Sequence, residues 1–111
     1  MIGINRVTLI GFAGGTPSMK TVNGGPLSTF RLATKELVTD AITGKKEARI
    51  EWHRVALFGK LADRAFEEIR ENTVLYIEGS LKTRSWREMG GERTATEIVA
   101  HEMQILTKAQ P

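Results

Sequence analysis

The stretch Ile50–Ala62, IEWHRVALFGKLA, constrains this chain most, because its periodicity changes once and abruptly. Up to Phe58 the residues alternate with period two. That pattern places Ile50, Trp52, Arg54, Ala56 and Phe58 on one strand face and Glu51, His53, Val55 and Leu57 on the other. Gly59 breaks the strand. Leu61, Ala62, Ala65, Phe66 and Ile69 then recur at helical spacing with Asp63, Arg64, Glu67, Glu68 and Arg70 outside, an amphipathic helix of about three turns that stops near Asn72. One strand face therefore joins two aromatic rings to a guanidinium. Two readings stand at this point. It is either a half-buried strand whose rings belong to a core, or a surface on which unstacked bases lie while a cation meets their phosphates.

The other elements follow from alternation and turn chemistry. Asn5–Gly14 reads as strand one, apolar on both faces as in a strand covered on two sides or at a subunit interface. Gly11 in its middle signals a bend or a close backbone approach. Gly14-Gly15-Thr16-Pro17 and Asn23-Gly24-Gly25-Pro26 are turns. Leu27–Thr34 is strand two, with Leu27, Thr29, Arg31 and Ala33 on one face, and Lys35–Arg49 is a long polar hairpin connection. The stretch from Ile50 is strand three. Thr73–Trp86 is strand four, Glu88–Glu92 a hairpin loop, and Arg93–Leu106 strand five. Five long strands in an open sheet would leave exposed edges, so closure into a barrel is favoured. Five strands with one short helix between the third and fourth predict an all-β OB-fold barrel.

At 111 residues the chain predicts a single domain, 1–111, with a folded core over about 5–106. It has no cysteine, which excludes disulfides, thiolate zinc sites and cysteine nucleophiles. The first residues lack a charged segment followed by an apolar run, and no apolar run approaches the roughly 20 residues needed to span a bilayer. The expectation is a cytoplasmic protein with no membrane partner. Sixteen Lys and Arg against thirteen Asp and Glu give +3, which permits a polyanionic partner without demanding one.

Chemistry of the catalytic kind has little to stand on. The two histidines lack metal-ligand spacing, so no metal or cofactor is expected. Asp40 and Asp63 are too sparse for a paired carboxylate site. No glycine-rich phosphate loop opens a helix. The reading is a non-enzyme.

Strand four repeats the pattern of strand three. Lys82, Arg84 and Trp86 share a face, as Trp52, Arg54 and Phe58 do. The bland alternatives are a packing role for Trp86 and an ordinary solvated charged face for Arg54, Lys82 and Arg84. The coincidence of rings and cations on two strands favours sequence-nonspecific binding of single strands by stacking and phosphate contact.

Four separated runs, INRVTLIG, VNGGPLSTFRLAT, EWHRVALFGKLA and VLYIEGSLKTRSW, with TEIVA near the end, resemble the bacterial single-stranded DNA-binding protein family over Ile4–Leu106. The resemblance implies an OB-fold homotetramer that binds single-stranded DNA in replication, recombination and repair, close to the nucleoid. It implies base stacking at Trp52, Phe58 and Trp86, backbone contacts at Arg54, Lys60, Lys82 and Arg84, and a subunit interface at His53 and Tyr76. The chain departs from the family at Val38, where many members carry tryptophan, at Glu71 and Ser85, where basic residues are common, and around Pro17, where acidic residues are usual. The sequence ends at Pro111, before the flexible linker and acidic tip through which the family recruits genome-maintenance proteins, so such recruitment is not expected of these residues. The rival reading is a primosome-type OB-fold adaptor, dimeric and acting mainly through protein contacts.

Overall fold

A computed structural model describes residues 1–107, so the last four residues of the expected domain lie outside the described residues. The elements run β1 (Val7–Ala13), β2 (Ser18–Val22), β3 (Gly25–Thr39), β4 (Lys46–Phe58), α1 (Lys60–Glu68), β5 (Val74–Glu88) and β6 (Gly91–Thr107). The sheet order is β1-β5-β6-β4-β3-β2, and β1 also pairs with β3 through Phe12↔Ala33 and Ala13↔Leu32. That last pairing closes β1, β3, β4, β5 and β6 into a five-stranded barrel. The expected architecture is therefore present, with its helix between the third and fourth barrel strands.

Two details differ from the sequence reading. Ser18–Val22, between the two turn signals, forms a short strand that among the described residues pairs with β3 alone. The hairpin connection is also mostly strand, because β3 and β4 stay in register out to Thr39↔Lys46. Its turn is held by Asp40, whose Oδ1 accepts from the backbone N–H of Ile42 at 2.7 Å and of Thr43 at 3.1 Å.

Closure needs two close approaches. A Cβ on Gly11 would lie 2.1 Å from the carbonyl oxygen of Ala33, and one on Gly79 would lie 2.1 Å from that of Val99. Gly79 also sits at a register shift between β5 and β6, where the strand bends. The core collects Leu32, Val55, Leu57, Leu75, Ile77 and Met103 from the barrel strands. Helix α1 covers its end with Ala62 and Ala65, joined by Ile69 just past its C-terminus, all fully buried. Gly59 makes the strand-to-helix corner at φ 64°, a region that suits glycine, and its N–H donates to Pro26 O. Buried Ser28 donates its hydroxyl to Ala62 O at 3.1 Å, which ties the helix to β3.

Candidate nucleic-acid interface

Alternation on β4 and its register with β3 decide which side chains share a face. Trp52 lies opposite Ala33, Arg54 opposite Arg31, and Phe58 opposite Leu27. Leu27, Arg31, Arg54 and Phe58 line a groove of about 640 Å³, together with Arg84 from β5, Lys20 from β2 and Glu97 from β6. Phe58 is half exposed in it. The parallel pairing Val55↔Ile98 brings Arg54 level with Glu97, so β3, β4 and β6 set Arg31, Arg54 and Glu97 in one row. Lys82 stands opposite Glu97 on β5 and extends that row.

Trp52 is not itself in the lining but stands at the groove's edge, against two residues that are, Gly14 and Arg31. Its ring meets Phe12 edge-on, with centroids 6.1 Å apart and planes at 77°. The Arg31 guanidinium lies 5.3 Å from the Trp52 ring centroid. A Cβ on Gly14 would stand 2.5 Å from the ring's Cζ3, so the ring occupies the space that glycine leaves. Trp52 remains 43% exposed, enough to present ring surface to a ligand.

Arg84 is held from two directions. Its Nε donates to Glu97 Oε1 at 2.8 Å, and its guanidinium sits 4.9 Å from the Trp86 ring centroid. The Trp86 indole N–H in turn donates to Glu88 Oε1 at 2.9 Å. Trp86 and Lys82 lie along the β5–β6 hairpin outside the groove lining, and Lys60 is exposed at the first position of α1. The groove thus gathers Arg54, Phe58 and Arg84 from the expected residues, has Trp52 at its border, and leaves Lys60, Lys82 and Trp86 around it.

The sequence reading misses Arg31, Lys20 and Glu97. Arg31 is visible in the sequence as the one charge on the face of Leu27, Thr29 and Ala33, but only the register reveals its arginine neighbour. Val38 falls on the same side of the β3–β4 ribbon as Thr34 and His53 and lines a second groove with them. On the Trp52 side the alternation instead places Leu37, 75% exposed, while Ile50, of the same parity as Trp52, also reaches the second groove.

The residues expected at a subunit interface lie elsewhere. His53 Nε2 and Thr34 Oγ1 are 2.8 Å apart and share a hydrogen bond, on the β4 face opposite Trp52. That second groove, of about 510 Å³, also takes in Thr8 and Ile10 of β1. Ile10 is 59% exposed and pairs with Tyr76 across the β1–β5 ladder. Tyr76 donates its hydroxyl to Glu78 Oε2 at 2.6 Å. This hydrogen bond, with burial and the negative charge of Glu78, holds the phenol above its ordinary pKa.

A model of the single-strand binding protein family matches residues 4–106. The chain belongs to the single-strand binding protein family. Among solved structures it resembles the Plasmodium falciparum SSB in complex with ssDNA, with 28% identity, a TM-score of 0.83 and 98% of each chain covered. It also resembles a deletion variant of the single-stranded DNA-binding protein from Thermus aquaticus, with 27% identity and a TM-score of 0.82. That match covers 94% of this chain and 51% of the other, so the chain spans about half the length of the Thermus chain. Family members are DNA-binding proteins and not enzymes. Among the described residues no helix is long and apolar enough to cross a membrane.

Proposed function

We propose that this protein binds single-stranded DNA without regard to sequence, and that it protects and organises single strands during replication, recombination and repair in the cytoplasm, at the nucleoid. The observation that carries the reading is the groove in which Arg31, Arg54, Phe58 and Arg84 meet beside Trp52. Rings on β4 and β5 offer π-faces that any base can stack on, and the interleaved cations offer charge to any phosphate, so neither contact reads sequence. A duplex keeps its bases stacked on one another and leaves these rings without a partner.

In this mechanism Trp52, Phe58 and Trp86 stack bases, while Arg54, Arg84, Lys82 and Lys60 neutralise phosphates. Each phosphate neutralised releases counterions, which sets a salt slope of about −0.7 per contact on single strands. Assembly as a homotetramer is part of the proposal. It is supported by half-exposed Ile10 on β1 beside the groove of Thr34 and His53, an apolar strand face with polar groups at its margin. The mass in solution reads it directly, and a dimer would count for the adaptor reading.

The decisive experiment is fluorescence of the two tryptophans during titration with oligo(dT) at two salt concentrations, with a duplex of matched length as control. Quenching by the single strand, weakened by salt and absent with duplex, is the expected result. No quenching at low salt would overturn the stacking mechanism.

A further inference from the structure

We propose that Arg31 and Arg54 form one phosphodiester site on the floor of the groove, and that Arg31 serves it by leaving the face of Trp52 when a base arrives. The inference rests on the reading of this groove as a single-strand site and adds to it a residue, a ligand group and an exchange.

The register makes the pair. Arg31 and Arg54 are directly opposite across the β3–β4 ladder, and both line the groove. Direct antiparallel partners have Cα atoms only about 4.5–5.5 Å apart, and like charges so placed destabilise a sheet. A carboxylate beside the pair would offset the repulsion, but Arg84 takes the nearby one. Glu97 is the only acid among the described lining residues, and its carboxylate pairs with Arg84. Neither Arg31 nor Arg54 forms an ion pair among the described residues. An oxyanion between the two guanidiniums would relieve their repulsion and meet two planar donor forks at once.

The position selects a phosphodiester over a free anion. Trp52 lies one alternation step from Arg54 on β4, and Phe58 lies on the same face on the other side. A phosphate between Arg31 and Arg54 therefore has a ring on each side for its flanking bases, as a continuous strand requires.

Arg31 cannot lie over Trp52 and grip that phosphate equally well. Its guanidinium now covers part of the ring at 5.3 Å. An exposed cation–π contact is weaker than a base stacked on an aromatic ring, so the base wins the face. The displaced guanidinium then faces the like charge of Arg54, and the incoming phosphate neutralises both.

The test compares the wild-type protein with R31A, R54A, R31K and R31A/R54A, titrated with oligo(dT) at about 50 and 200 mM salt, the range over which phosphate contacts separate. The phosphate is held only between both guanidiniums, so losing either arginine loses the contact and lowers the salt slope by about 0.7, and the deficit of R31A shrinks roughly 2.5-fold between the two salts. R31K keeps the slope. Since both arginines hold one phosphate, the double variant loses no more slope than a single one. A methylphosphonate oligothymidylate, which has bases but no backbone charge, should bind R31A as tightly as wild type or more tightly, because the ring is uncovered. Near-UV circular dichroism confirms that each variant keeps its tertiary packing. An unchanged slope for R31A overturns the proposal, as do slope losses that add in the double variant, or weakening of the neutral oligomer equal to that of oligo(dT). Wild-type protein that fails to bind oligo(dT) would instead overturn the single-strand reading itself.

Discussion

Arg84 and Glu97 form a 2.8 Å ion pair in which the acid is the buried partner, its side chain 10% exposed against 53% for the arginine. The acid orients Arg84 over Trp86 and at the same time withholds part of its charge from a ligand. E97Q should uncouple the two effects. Its unfolding free energy is expected to fall by about 1 kcal/mol, because the hydrogen bond from a half-exposed arginine loses its charge assistance. Affinity for oligo(dT) should rise at low salt, with a slope steeper by about 0.7 as Arg84 turns to a phosphate. Thermal unfolding and a two-salt titration measure both; an unchanged slope would mean that Arg84 meets phosphate while still paired.

Gly14 is a packing residue for Trp52. A methyl group there would fall 2.5 Å from the indole ring, so G14A must push the ring off its Phe12 and Arg31 contacts. The expected outcome is a shifted Trp52 emission and oligo(dT) affinity reduced about tenfold, with overall stability lowered by no more than roughly 1–3 kcal/mol, the usual cost of overpacking. An unmoved emission spectrum in the W86F background would rule this out.

Substituting the rings themselves should cost affinity in proportion to stacking. W52A and W86A are each expected to lose ~1–3 kcal/mol of oligo(dT) binding, the general magnitude for a base stacked on an aromatic ring in single-strand-binding OB-folds and other stacking platforms. Duplex binding should not change. Isothermal titration against both ligands is the check, and equal losses on duplex would point to general misfolding.

Tyr76 is the chain's single tyrosine, so its ionisation can be followed by near-ultraviolet absorbance without interference from another phenol. Its folded pKa is raised above the ordinary value of 10.0, chiefly by the hydrogen bond to Glu78. A raised folded pKa means a contribution to stability that is fully present below the unfolded pKa and lost as pH rises through the folded one. The native titration midpoint should lie above 10.0 and move down in E78Q, and the part of any stability difference between wild type and Y76F that comes from this hydrogen bond should be lost at strongly alkaline pH. A midpoint unaffected by E78Q would contradict the assignment.

Much of this protein is legible before folding is considered. Period-two runs broken by Gly59, Gly24-Gly25 and Gly90-Gly91 give the barrel strands and the helix their order. Alternation alone places Trp52, Arg54 and Phe58 on one side of β4 and His53 on the other, because side-chain direction in a strand depends only on parity. What parity cannot say is who stands opposite. The meeting of Arg31 with Arg54, of Glu97 with Arg84, and of Gly14 with the Trp52 ring depends on strand register and barrel closure. Those in turn are decided by turns, bulges and close backbone approaches far apart in the chain, such as Gly11 against Ala33 and Gly79 against Val99. The short strand β2 escapes the sequence for a similar reason: five residues with a weak pattern become a strand only because the edge of β3 is there to pair with them. Local chemistry determined the elements and the kind of surface, while tertiary register alone decided which charges on that surface meet a partner within the fold.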